Sequence, residues 1–167
     1  NNIMDQTYKK KIRLFCKELL EVNRLVSLGI DDTHYLKVVM RRKIGHSIYL
    51  FNEDCGEFEA KIIDFNKNFF VLKILNKVNV FEKQSDLHLL FAPVKRDKTE
   101  YIIQKATELG VSKILPVITE RTILRNLNYK RLFLIAKEAS EQSERLTIPE
   151  IMEINSLKNV IDNWNDN

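Results

Sequence analysis

The sequence predicts two units in series: a small β-rich unit of mainly antiparallel strands, then an α/β unit built on a parallel sheet. Three observations predict it. Closely spaced period-two segments fill the first half, strand and helix patterns alternate from Leu87 onward, and the polar, aperiodic stretch Phe81 to Asp86 lies between. At 167 residues, 44% hydrophobic and 30% charged, the chain can build one large domain or two small ones and lies outside the range of disordered sequences.

The expected boundaries are a tail over 1–11, a first unit over 12–82 and a second over 86–167. Ile12 to Cys16 is a candidate strand, and Asp31-Asp32 before Thr33 to Met40 reads as an N-capped short helix that closes before Gly45. Ser47 to Phe51, Phe58 to Phe65 and Phe69 to Leu75 then read as strands. They are separated by the turn-type clusters Asn52 to Gly56 and Asn66-Lys67-Asn68, too short for crossover helices, so a small barrel or meander results. Leu87 to Pro93 is a continuous apolar strand of the kind buried on both faces. A helix follows from Thr99, with Ile102, Ala106 and Leu109 inward and Gly110 as its stop. Val111 to Val117, stopped near Pro116, is the next strand, and Tyr129 to about Glu144 the next helix, with Leu132, Ile135, Ala136 and Ala139 inward. Ile151 to Ile154 reads as a third strand, and Ser156 caps a last helix running to about Trp164.

No apolar run approaches the roughly 18–20 residues that cross a bilayer, and Lys9 to Arg13 is not followed by a signal-peptide core, which makes the cytoplasm the expected compartment. Cys16 and Cys55 are too isolated for a disulfide framework or a metal site. The four glycines form neither GxGxxG nor GxxxxGK[ST], and none follows Gly110, which argues against a complete cofactor site. GxSxG and HExxH are absent, and His34, His46 and His88 lack metal-ligand spacing.

The formal net charge is only +4, yet the cations cluster at Lys9 to Arg13, at Lys37, Arg41, Arg42 and Lys43, and at Lys95, Arg96 and Lys98. Such patches concentrate a polyanion at a surface and make its binding salt-dependent, although solvated exposed faces give the same pattern. Open α/β sheets place their sites at the carboxyl ends of strands, where Lys95 to Lys98 and Glu120-Arg121 with Arg125 fall. Glu138, Glu141, Gln142 and Arg145 share one surface at the end of the second helix. Taken alone, each group also fits a surface ion pair.

The segment FAPVKRDKTEYIIQKATELGVSKILPVITERTILR from Phe91, followed by IAKEASEQSERLTIPEI, resembles the ribosomal RNA small-subunit methyltransferase E family. Arg13-Leu14-Phe15 and HYLKVVMRRKIG at His34 to Gly45 are similar to that family's PUA-like RNA-binding barrel, so the resemblance runs from about Ile12 to the end. This chain departs from the family at Val38, where a second arginine is common, and at Ser143-Glu144, where Cys-Gly is common.

The resemblance implies a PUA-like barrel over 12–82 and part of a SPOUT-class methyltransferase domain over 86–167, with methyl transfer from S-adenosylmethionine to N3 of a uridine in 16S ribosomal RNA. It places Glu120, Arg121, Gln142 and Arg145 at the pocket or on the substrate, Lys95 and Lys98 on the RNA, and Arg13, Lys37, Arg41 and Arg42 on phosphates. His34, Phe15 or Tyr35 becomes a stacking candidate. Family members continue through a Gly-rich GxEGG-like loop that forms the knot, the cofactor pocket and most of a homodimer interface. None of that follows here, so the expectation is a chain without cofactor-binding residues of its own, inactive alone. A non-enzymatic RNA-binding fragment or a decayed methyltransferase is the alternative.

Overall fold

The computed structural model describes residues 11–80, 86–122 and 124–164. It divides into two compact units, Asn1–Phe81 and Glu82–Asn167. Of the tail expected over 1–11, all but Lys11 lies outside the described residues, as does most of the polar stretch between the units.

The first unit contains β1 (Arg13–Phe15), β2 (Leu25–Ser27), α1 (Ile30–His34), a π-turn (Tyr35–Val39), β3 (Ser47–Asn52), β4 (Gly56–Asn66) and β5 (Phe69–Asn79). The sheet order is β1-β3-β4-β5-β2, antiparallel except for the parallel β1·β3 pair. Period two is what buries it: Ile48 and Leu50, Ala60 and Ile62, and Leu72 and Ile74 turn to one side, where Leu14, Val26 and Leu36 close the core. Register shifts at three places in β4 add local twist. The turn between β4 and β5 has Lys67 and Asn68 both at positive φ (48° and 73°), which fits the twist of a two-residue hairpin.

Three expectations need correcting in this unit. The pairing path has two ends, β1 and β2, so the closed barrel is not shown and the observed architecture is a five-stranded sheet. β2 escaped the sequence reading because only Val26 of its three residues is buried, which leaves no alternation to detect. The first helix is capped by Gly29 rather than by an aspartate. Asp31 and Asp32 sit inside the first turn, where carboxylates favour the positive end of the helix dipole.

The second unit runs β6 (His88–Phe91), α2 (Arg96–Leu109), β7 (Lys113–Ile118), α3 (Tyr129–Gln142), β8 (Glu150–Ile151), β9 (Asn155–Ser156) and α4 (Leu157–Asp162). β7 is central and pairs in parallel with β6, β8 and β9. The core joins Ile103, Ala106, Ile114, Leu132 and Ala136, and Ser156 caps α4 by accepting from the Asn159 amide at 3.1 Å.

The departures here have local causes. β6 is half-buried rather than buried on both faces, because it ends the pairing path. Ile103 replaces Ile102 as the buried residue of α2, and Leu109 is 79% exposed: the helix starts at Arg96, three residues before Thr99, and Thr99 itself turns inward. Pro116 does not stop β7 but lies inside it, opposite Phe91. Residues 114 and 116 direct their backbone to the same side, and the Ile114 carbonyl accepts from Met152 at 2.9 Å on that side. β8 ends at Ile151 and β9 begins at Asn155, so the missing Pro116 N–H falls where the neighbouring strand is interrupted. The same interruption splits the strand expected over Ile151 to Ile154.

Candidate functional site

In the first unit the helix that begins at Ile30 ends in a way that fans out its cations. The Met40 amide donates to the Tyr35 carbonyl at 3.0 Å, a π-type span, and the Arg42 amide reaches back to the Leu36 carbonyl at 2.8 Å. Arg41, between them, takes a left-handed conformation with φ of 51°, a position that helices normally give to glycine. This closure brings Lys37, Arg41, Arg42 and Lys43 around a groove of about 490 Å³. The rest of its lining is apolar: Ile44, Phe65 and Phe70. The Lys37 ammonium lies 3.8 Å from the Phe65 ring centroid, a cation–π contact, and Phe65 meets Phe70 edge to face at 5.4 Å.

The sequence marked the cations of this groove but not its floor. Phe65 and Phe70 flank the β4–β5 turn, and the available signal was an aromatic on each side of Asn66 to Asn68. His34 and Tyr35, expected as stacking candidates, do not line the groove; His34 is exposed and Tyr35 packs against the core.

Arg13, expected on a phosphate, lies buried in the sheet. Its side chain is 1% exposed and its Nε donates to the Glu57 carboxylate at 2.7 Å, with the guanidinium 4.2 Å from the Phe51 ring centroid. Lys11 adds a second cation to the same carboxylate oxygen at 3.0 Å. Arg13 therefore serves the sheet, joining β1 to the start of β4. Phe15, half-buried, packs edge to face on Phe51 at 5.9 Å.

In the second unit, β6 and β7 are adjacent and parallel, so the segments that leave their carboxyl ends share one edge of the sheet. Thr99 fixes the first of these: its hydroxyl donates to the Val94 carbonyl at 3.0 Å and accepts from the Val94 amide at 3.1 Å, leaving Lys95, Arg96 and Lys98 exposed at the start of α2. Thr122 fixes the second. Its buried hydroxyl accepts from the Thr119 amide at 2.8 Å, and Glu120 and Arg121 project from the tip of that turn. A cleft of about 180 Å³ at this edge is lined by Arg96, Thr99 and Glu100 with Asn126, Asn128 and Arg131 among its neighbours. Glu100 bonds Arg96 on its own helix at 3.0 Å and ties α2 to α3 through Arg131 at 3.2 Å, and those guanidiniums, Arg131 first, draw its carboxyl below the usual range.

Gln142 and Arg145 do not join that edge. α3 begins after β7 and runs back for 14 residues, a length of roughly 20 Å, so its end lies at the amino edge of the sheet. There the Arg145 guanidinium donates to the Gly110 carbonyl at 3.3 Å. The four residues expected around one pocket thus fall into two groups at opposite edges, Glu120 and Arg121 against Gln142 and Arg145. Strand-end reasoning missed this because it treated the end of a return helix as though it were the end of a strand.

Gly110 ends α2 at a φ of +92°, in the left-handed region that strains any L side chain. A Cβ built there would meet only the terminal atoms of Arg145, which can swing aside. Gly110→Ala should therefore lower the stability of the second unit by about 1–2 kcal/mol, the cost of the backbone conformation. Urea unfolding followed by Trp164 fluorescence measures this, and adding Arg145→Ala should change the loss little. Recovery of most of the loss in the double variant would show that the guanidinium, not the backbone, carries the cost.

The 180 Å³ cleft is lined by Arg96, Glu100, Asn126, Asn128 and Arg131 together with Leu124, Leu127 and Leu132, and a second of about 440 Å³ is lined by residues of α2 and α3, among them Asp97, Glu100, Glu108, Glu138 and Gln142. No glycine lets backbone approach a ligand in either lining.

The family model described as an RNA methyltransferase domain matches residues 81–167, and one described as an RNA methyltransferase PUA domain matches 29–75. The ribosomal RNA small subunit methyltransferase E of Rickettsia conorii is 38% identical over 138 residues, covering 82% of this chain and 57% of that protein. Its counterpart from Buchnera aphidicola of Schizaphis graminum is 30% identical over 154 residues, covering 86% of this chain and 61% of that one. The crystal structure of ribosomal RNA small subunit methyltransferase E from Neisseria gonorrhoeae, bound to S-adenosyl methionine, is 28% identical with a TM-score of 0.83, covering 93% of this chain and 66% of that chain. The chain thus spans about three fifths of the length of these curated relatives. Both units matching in family order, the chain belongs to the RNA methyltransferase family that includes ribosomal RNA small subunit methyltransferase E.

Proposed function

We propose that this chain serves the methylation of 16S ribosomal RNA at N3 of a uridine, with S-adenosylmethionine as methyl donor, and that its own share of the task is to hold the RNA. The observation that carries this reading is the groove of the first unit, where four cations surround an apolar floor. Lys95, Lys98 and Arg121 add positive charge at the carboxyl edge of the second unit, where an RNA strand meets the start of α2. The cytoplasm, where ribosomal RNA is assembled into subunits, is the matching compartment, and no described helix is long and apolar enough to cross a membrane.

A second reading, RNA binding without methyl transfer, is favoured by one observation: no glycine lines the described clefts of the second unit, where backbone would have to approach a nucleotide-like cofactor. Two titrations separate the readings. With 16S ribosomal RNA the chain should bind at low salt and lose affinity steeply as salt rises. With S-adenosylmethionine, calorimetry should show no heat, while a full-length relative binds. One-to-one micromolar binding of the cofactor would return catalysis to this chain, and failure to bind 16S ribosomal RNA at low salt would remove the RNA-holding role.

A further inference from the structure

We propose that the groove of the first unit holds one unpaired nucleotide, its base against Phe65, which the buried Phe70 supports from the core, and its flanking phosphates on Arg41 and Lys43, so that this unit selects single-stranded over duplex RNA. The inference rests on the reading of the first unit as RNA-holding and narrows it to a class of RNA.

A surface that only tracks phosphates needs cations and no apolar floor. Here the floor is present: the groove of about 490 Å³ falls within the range of roughly 300–1,000 Å³ typical of small-ligand clefts, and Phe65 is half-buried at its base. Phe65 lies next to the β4–β5 turn and is steadied edge to face by Phe70, so its ring is presented rather than lost in the core. Every base has a face that stacks on such a ring, whereas an A-form duplex keeps its bases stacked inside and offers only a shallow minor groove and its phosphates.

The polar side of the groove is also incomplete. Arg42 Nε is closed off from solvent and has no hydrogen-bond partner among the described residues, a donor in the groove wall without an acceptor. The Lys37 ammonium covers the Phe65 ring at 3.8 Å, so the base takes that face by displacing it, and the displaced cation then meets a base edge or the phosphate beside it. With Arg41 held at positive φ at the helix end, its guanidinium departs from the helix axis beside Lys43. Charge of one sign around an apolar seat matches a nucleotide and mismatches an uncharged apolar peptide.

The test is fluorescence anisotropy of the 167-residue chain with three labelled probes: a ten-nucleotide oligouridylate, an abasic phosphodiester of the same length, and a ten-base-pair RNA duplex. The oligouridylate should bind at least about tenfold more tightly than the other two, and Phe65→Leu should remove about that factor for the oligouridylate while leaving the abasic probe unchanged. Should the variant not fold, 2-aminopurine placed in the oligomer gives an independent readout on the wild-type chain, since stacking quenches its fluorescence. Equal binding of all three probes, or binding without quenching, overturns the base seat and leaves a plain phosphate surface. No binding of any probe at low salt overturns the RNA-holding role as well.

Discussion

Glu57→Ala should lower the stability of the first unit by about 1–3 kcal/mol, because it removes the buried carboxylate that accepts from the Arg13 guanidinium. Both side chains are almost wholly excluded from solvent, at 1% and 2%, and the bond between them is 2.7 Å long. The cost arises because removing this carboxylate leaves the guanidinium desolvated, and the contacts that remain to it, the cation–π contact with Phe51 among them, offset only part of the loss. Arg13→Met combined with Glu57→Leu should recover most of the loss, since two apolar side chains of similar volume need no pairing. Trp164, the only tryptophan, lies in the second unit and does not report on this one. Amide exchange of β3 and β4 in increasing urea is the suitable measurement. A Glu57→Ala cost below about 1 kcal/mol would place the pair among ordinary surface ion pairs.

Replacing Lys37, Arg41, Arg42 and Lys43 together by glutamine should nearly abolish RNA binding at physiological salt. If three or four of these cations each neutralise a phosphate, the slope of log K against log salt should become shallower by about 2–3 on the single-strand scale of roughly 0.7 per contact. The combined glutamine change at Lys95 and Lys98, made as a control, should reduce the slope by about 1.4 at most. If both variants moved the slope equally, the groove would have no special role and binding would follow net charge alone. The four-fold variant should fold, since three of the four side chains are exposed and none takes part in the core cluster. Its Arg41 position should stay strained, because glutamine gains nothing over arginine at φ of 51°.

The positions legible in the sequence are those where a local rule suffices. Alternation in Ser47 to Phe51 and in Phe69 to Leu75 marks strands because one face must be dry, and the two strands form with those residues inward. Gly110 marks the end of α2 because few other residues accept its φ of +92°. Ser156 marks the start of α4 by a single hydroxyl-to-amide bond. Pro116 misled because its cost depends on the neighbour that its missing N–H would face, and that neighbour is more than thirty residues away. Ile102 misled because the buried stripe of α2 is Thr99, Ile103, Ala106 and Thr107, two of which are threonines that a hydrophobic pattern does not mark.

By itself, the sequence determined the two-unit division, the strand-helix grammar of each half, the cationic clusters and, through its long contiguous motifs, the family. Only the tertiary structure decided which cations are buried in ion pairs and which converge on a groove. Arg13 and Arg41 read alike in the chain as basic residues. Pairing of β1 with β3 delivers Arg13 to the buried Glu57, whereas a π-turn and a left-handed residue turn Arg41 toward the Phe65 floor. The same holds for the strand ends: a return helix carries Gln142 and Arg145 to the edge opposite Arg121. Charge and periodicity are properties of single residues and short windows, while burial and convergence depend on contacts between segments 30 or more residues apart, which no local pattern encodes.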